Sequence, residues 1–299
     1  MLAIVLSTIL FFWSPLRAAV SFSRQDDRYL PILVAPFLCV YLLHWRRREI
    51  FEHARLSLRI GVPLSSLALL LLAAAVHRNS SQDPVAGFLP VALSMVFLWM
   101  TGFLLCYGIS SFRMAIYPLA CLLLTIPLPS AWLDRISVAF QAGSATASYA
   151  ILTLFGVPVL REGTTFSIPG LTFNVAPECS GIRSGLAFLM VGILASRLFL
   201  RSPGNRLLLI LSTVPITIVK NAVRIVVTTT LAAYVDRSYI DGPFHHQYGG
   251  IIFSPLDFVL FLPLLWALQK RERRSPQRSS SLETLHSAGA SPTPEITSP

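Results

Sequence analysis

The sequence predicts an all-α polytopic membrane protein, and three observations carry that prediction. Hydrophobic residues make up 54% of the 299 positions and charged residues only 13%. The apolar residues fall in long blocks, not in the alternation of a soluble domain. The basic residues behind the formal net charge of +10 cluster at the ends of those blocks. Runs of roughly 17–25 apolar residues cross a bilayer as helices, because lipid offers no partner to an unbonded backbone group. Basic clusters at their ends mark the cytoplasmic side. That arrangement also argues against nucleic acid as a partner, since no basic patch stands apart from those flanks.

About eight transmembrane helices are expected. Residues 1–20 form the first, with neither a basic segment before them nor an A-x-A site after them to mark a signal peptide. A polar loop with Arg24, Asp26, Asp27 and Arg28 leads to a second span over 30–45. It ends in Arg46-Arg47-Arg48, and Arg55 and Arg59 follow, so this loop is read as cytoplasmic. Spans over 60–76, 87–107 and 114–128 then alternate outward, inward and outward. The helix over 135–156 is long enough to cross but carries Gln141, Gly143, Ser144, Thr146 and Ser148. A crossing there would turn Arg197, Arg201, Arg206 and the basic run after Lys270 outward, so it is read as an interfacial or re-entrant helix on the outer side. Residues 157–175 alternate β-branched and aromatic residues with polar ones around Pro169-Gly170, which suits a type II turn and a small extracytoplasmic β-hairpin. Spans over 182–200, 207–234 and 249–268 complete the set, with both termini inside. Residues 1–113 are thus an N-terminal group of helices, 114–270 a core, and 271–299 a cytoplasmic tail too rich in Ser, Pro and Thr to order itself.

Few polar residues inside this framework lack an obvious reason. Cys39, Cys106 and Cys121 lie in apolar blocks and read as small hydrophobes. Cys179 differs: it stands where the polar segment Asn174-Val175-Ala176-Pro177-Glu178 meets the run that begins at Ile182. In the seventh span Asn221 and Arg224 share a face, and an intramembrane arginine needs a cavity or a partner. Lys220 is read as pointing elsewhere, toward the interface. His245-His246 precede the eighth span. The topology brings Cys179, Arg224 and His245 to one depth on the outer side. A thiol at a helix N-terminus beside a guanidinium ionises readily. An imidazole can take its proton and later protonate a leaving amine, and the arginine can stabilise an oxyanion. Those are the parts of a cysteine acyl-transfer site. Neither the cysteine spacing nor the paired histidines suggest a metal, and no cofactor is implied.

The residues also carry a resemblance. Glu178-Cys179-Ser180-Gly181-Ile182-Arg183-Ser184, Asn221-Ala222-Val223-Arg224-Ile225 and His245 with Gly249 and Phe253 resemble the three signature motifs of the exosortase/archaeosortase family. Ile126-Pro127-Leu128-Pro129 and Gly156-Val157-Pro158-Val159, followed by Arg161-Glu162-Gly163, resemble its approach segments. The resemblance implies a protease or transpeptidase of a prokaryotic inner membrane that cleaves C-terminal sorting signals, PEP-CTERM-like, of exported proteins. Such a signal joins a short motif, a membrane helix and a basic tail. It implies Cys179 as nucleophile, Arg224 as stabiliser of thiolate or oxyanion, and His245 as acid–base. His246, Asn221, Glu178 and Arg183 are alternates or supporting residues, and Glu178 has no assigned role. The hairpin offers an edge for the extended motif by strand addition.

Two other classes stand beside this reading. A transporter or flippase of an anionic lipid-linked substrate would use Arg224 and Lys220. The absence of an internal repeat and of acidic residues within the spans weighs against it. A purely structural subunit would leave the intramembrane Asn221 and Arg224 without a reason.

Overall fold

The computed structural model describes residues 26–52, 54–77, 84–175, 180–241 and 249–288, with Arg17, Val20, Ser21, Ser23 and Arg24 before them. The expected first span, residues 1–20, falls almost wholly outside that set. The chain is mostly helical. In order come α1 (Leu30–Trp45), α2 (Arg47–Phe51), α3 (Leu58–His77), α4 (Pro84–Ala120), a 3₁₀ stretch (Cys121–Thr125) and α5 (Ser130–Leu154). A small sheet of β1 (Leu160–Glu162), β2 (Thr165–Ile168) and β3 (Leu171–Asn174) follows, then α6 (Ile182–Phe199), α7 (Pro203–Tyr234), α8 (Ser238–Asp241) and α9 (Gly249–Ala288). α9 stays helical past Ser275, where the composition leads us to expect no regular structure.

Among the described residues, five helical stretches are long and apolar enough to cross a membrane: Leu58–His77, Gly87–Thr125, Ile182–Phe199, Pro203–Tyr234 and Ile252–Arg274. The chain is a multi-pass membrane protein. Of the expected eight, the span over 1–20 lies outside the described residues, and α1 is apolar but only 16 residues long. The expected spans over 87–107 and 114–128 fall within a single apolar stretch, broken at Gly108 with φ 81 and ψ 175. The chain doubles back there. Ala115 and Leu119 join Val96 and Phe103 in one apolar cluster, and Thr125 lines a cavity with Phe88, Ala92 and Val96. A Cβ at Gly108 would lie 2.5 Å from the carbonyl oxygen of Arg55, so the reversal requires glycine.

The basic flanks are tied together at one end. The Glu272 carboxylate accepts the backbone N–H groups of Arg201 (2.9 Å) and Ser202 (2.8 Å) and the Asn205 amide (2.9 Å). Arg197 lies over the Tyr117 ring at 5.3 Å, and the Tyr117 hydroxyl donates to the Ile193 carbonyl at 2.9 Å. Phe51, just past Arg46-Arg47-Arg48, meets Tyr107 edge-on at 4.7 Å.

α5 takes the position that the sequence left ambiguous. Its first turn sits beside the N-terminal end of α1, where Asp134 pairs with Arg28 at 2.8 Å and Leu133 joins Tyr29 and Ile32. From there it runs alongside α7 in the same direction: Gly143 lies against Ile218, Ser144 against Asn221, and Leu152 clusters with Ile225 and Ala232. α5 is not among the stretches long and apolar enough to cross, and it lies along α7. Its buried face includes Ser137, Gln141, Ser144 and Ser148, a polar stripe against protein that explains its low hydropathy.

The expected hairpin is a three-stranded antiparallel sheet of order β1-β2-β3. Pro169-Gly170 makes the second turn, with Gly170 at φ 83. The first turn, unforeseen in the sequence, uses Gly163 at φ 63 to pair Glu162 with Thr165. Phe166 and Phe173 stack at 5.3 Å in the cluster that joins the sheet to α5 and α7.

Candidate active site

The site is built where α6 begins. Gly181 precedes the helix in the left-handed region, φ 79 and ψ 4. Its missing side chain is a packing requirement as well: a Cβ there would stand 2.9 Å from Cγ and 3.1 Å from Cβ of Asn221 on α7. The two helices touch at this point through a backbone and a side chain. Gly185, one turn on, repeats the close approach, with a Cβ predicted 3.0 Å from Thr217. Small residues along a helix interface let backbones meet in this way.

Asn221 is buried, and its amide donates to Ser144 Oγ of α5 at 3.0 Å. Ser148 Oγ donates to the Ala222 carbonyl at 3.4 Å, and the Gln141 amide to the Val175 carbonyl at the end of the sheet. Both sides of the segment 176–179 are thereby anchored. On one side Val175 is held by α5 and by its N–H bond to the Thr164 carbonyl (3.0 Å). On the other, Ser180 is fully buried and its Oγ accepts the Ile182 N–H at 3.5 Å.

Lys220 corrects one expectation. It does not reach toward an interface; it is buried, 2% exposed, and pairs with Asp257 of α9 at 3.3 Å. Asp257 is itself 3% exposed and sits within the span Ile252–Arg274, so an acidic residue does stand inside the membrane helices. Lys220 Nζ also donates to Ser184 Oγ at 2.6 Å, and Ser184 Oγ donates to the Gly181 carbonyl at 3.0 Å. In the sequence, Ser184 stands out only through its motif, and Asp257 not at all. A signal for the pair was there. At about 1.5 Å per residue, Lys220 lies about 21 Å from Arg206 and Asp257 about 20 Å from Lys270, so two opposite charges share one depth.

The predicted site residues divide plainly. Asn221 and Arg224 lie on α7, Asn221 buried and Arg224 half-buried, and the Arg224 carbonyl accepts the Thr228 hydroxyl at 2.8 Å. Arg183 is exposed on the first turn of α6. Cys179, Glu178, His245 and His246 lie outside the described residues, so no geometry joins them to Arg224. Among the described residues, no group of three or more His, Cys, Asp or Glu side chains is placed to hold a metal ion. Cys39 and Cys121 share the apolar cluster of α1 and α4. An apolar cavity of about 160 Å³ lies beside α6 further along, lined by Leu186, Leu189, Met190, Ile32 and Leu133; it contains none of the candidate residues.

No match is found among curated proteins or among solved structures. A family model described as transmembrane exosortase (Exosortase_EpsH) matches residues 23–263, which takes in the sheet, α5 to α8, the start of α9 and every candidate residue named above. This chain belongs to the transmembrane exosortase family.

Proposed function

We propose that this protein is a membrane-embedded cysteine peptidase and transpeptidase that cleaves the C-terminal sorting signals of exported proteins at the outer water–lipid boundary. Membership of the family implies a membrane protein-sorting transpeptidase; the finer reading assigns its parts. The Cys179 thiolate attacks the scissile carbonyl carbon. Arg224 stabilises first the thiolate and then the oxyanion. His245, or its neighbour His246, takes the thiol proton and returns it to the departing amine as the C–N bond breaks. The thioester that remains on Cys179 is then resolved by water, an amine or a lipid-linked acceptor.

The observation that carries this reading is the joint between Gly181 and Asn221. Cys179 immediately precedes Ser180 in the sequence. Ser180 is buried and Gly181 lies against Asn221, which is one turn from Arg224 on α7. The motif that supplies the thiol and the motif that supplies the guanidinium are thus neighbours through residues other than the two themselves. Depth supports the same reading. Arg224 lies about 27 Å along α7 from Arg206, near the far edge of a core roughly 30 Å thick. The substrates we infer are anchored exported proteins whose scissile bond lies just outside their own membrane helix. The compartment is the prokaryotic inner membrane, with both termini cytoplasmic and the site facing outward; supporting it, the basic flanks gather at the opposite end of α6, α7 and α9.

The test is a co-expressed exported protein ending in a short motif, an apolar helix and a basic tail. Cys179→Ala should abolish its processing while the enzyme still inserts at the wild-type level. Normal processing by that variant would remove Cys179 as the nucleophile.

A further inference from the structure

We propose that Ser184, Lys220 and Asp257 form a positioning relay that fixes the backbone turn at Gly181, two residues after Cys179 in the sequence, an inference that rests on the reading of Cys179 as nucleophile. Three observations on the described residues carry it. The first is connectivity. Asp257 of α9 pairs with Lys220 of α7 at 3.3 Å, Lys220 donates to Ser184 of α6 at 2.6 Å, and Ser184 donates to the Gly181 carbonyl at 3.0 Å. The chain of bonds crosses all three helices that the candidate motifs open or occupy, and it ends two residues from Cys179.

The second observation is that the carbonyl it reaches is the one that sets the turn. The Gly181 carbonyl also accepts the first bond of α6, from the Gly185 N–H at 2.9 Å. Ser184 therefore grips a peptide that is already committed to the helix, and that peptide belongs to the left-handed residue at φ 79. Holding its orientation holds the direction in which the preceding residues leave the helix. Without the serine, one bond along the helix axis remains and the peptide is free to tilt.

The third observation is that the ion pair is a poor device for stability alone. Both groups are buried inside a membrane protein, where a charge is costly and two apolar side chains of similar size are often no less stable. The pair is also incompletely satisfied: Asp257 Oδ1 is buried with no hydrogen-bond partner among the described residues, as is the hydroxyl of Thr217 one turn before Lys220. A lysine held by one carboxylate oxygen and one serine hydroxyl is built for direction. Asp257 holds the end of the Lys220 side chain, Lys220 Nζ donates to the Ser184 oxygen, and the serine proton is thereby aimed at the Gly181 carbonyl.

The experiment uses the full-length protein in detergent and follows alkylation of Cys179 by iodoacetamide, read by mass spectrometry of the peptide that contains it, beside a thermal denaturation midpoint. Ser184→Ala should slow alkylation at least fivefold, whereas Ser184→Thr, which keeps the hydroxyl, should hold the wild-type rate. The double variant Lys220→Met with Asp257→Leu removes both charges together. It should denature within a few degrees of wild type yet alkylate as slowly as Ser184→Ala, a split that a merely structural pair would not give. Wild-type alkylation in both Ser184→Ala and the double variant overturns the relay. Failure here is separable from failure of the proposed function. If Cys179→Ala abolishes processing while the relay variants alkylate normally, the relay alone is wrong. If Cys179→Ala processes normally, the nucleophile assignment is wrong and the relay has nothing to position.

Discussion

Gly181→Ala puts the helix joint under the most direct strain available in the described structure. Two costs add. A left-handed φ of 79 is disfavoured for alanine by about 1–2 kcal/mol. The new Cβ would sit 2.9 Å from Asn221 Cγ, a contact that real Cβ atoms essentially never make, so Asn221 or the helix must move. Moving Asn221 loses its 3.0 Å bond to Ser144 in a site where both groups are buried, a cost of about 1–3 kcal/mol. The sum is about 2–5 kcal/mol. At about 1.4 kcal/mol per tenfold, even the lower figure corresponds to more than a tenfold effect if it falls on the geometry around Cys179. The assay is a denaturation midpoint in detergent together with processing of a co-expressed substrate. Gly170→Ala serves as the internal control, because Gly170 has φ 83 with nothing within 4 Å of its Cβ position. It should show only the conformational part, about 1–2 kcal/mol, with processing intact. If Gly181→Ala behaves like Gly170→Ala in both measurements, the close approach of Gly181 to Asn221 is not what holds α6 to α7, and the site geometry argued above fails with it.

Two other predictions concern the approach to the site. Gln141→Leu removes the donor to the Val175 carbonyl, where α5 fastens the end of the sheet. It should cost about 1–3 kcal/mol, read as a lowered denaturation midpoint, and an unchanged midpoint would show that bond to be dispensable. Strand addition at the sheet predicts that deleting Pro169 and Gly170, the tip of the β2–β3 turn, lowers substrate processing while insertion stays normal. Wild-type processing by the deletion removes the sheet as the recognition surface.

Much of the fold was legible in the sequence because membrane helices are written in composition. Block length located most of the described spans. The reversal between the expected spans over 87–107 and 114–128 is made at Gly108, packed against the Arg55 carbonyl. Hydropathy could not place α5. Its serines and glutamine lower the mean, and only the contact with α7 shows that they are buried against protein. Asn221 was legible as a polar residue in need of partners, and Ser144 supplies one. Lys220 was misread because a lone charge in a span is assigned to a snorkelling position until its partner is found. That partner, Asp257, lies in a different helix, and only the depth of both from their basic ends connects them in one dimension.

The Lys220–Asp257 pair also weighs on the competing transporter reading, in the direction opposite to what its discovery suggests. An acidic residue within the spans answers one objection to a transporter. Yet the same contact takes away a cation on which that reading relied. A headgroup site built from Lys220 and Arg224 needs Lys220 to offer its charge to the ligand. Here Nζ is buried, 3.3 Å from one carboxylate and 2.6 Å from a serine hydroxyl. An anionic headgroup would have to displace Asp257 and leave a buried carboxylate uncompensated, which costs about 3–5 kcal/mol when one partner of such a pair is lost. That penalty alone weakens binding by more than a hundredfold, since each 1.4 kcal/mol is about tenfold. With Lys220 committed to Asp257 and Ser184, the transporter reading loses one of the two cations on which it relied.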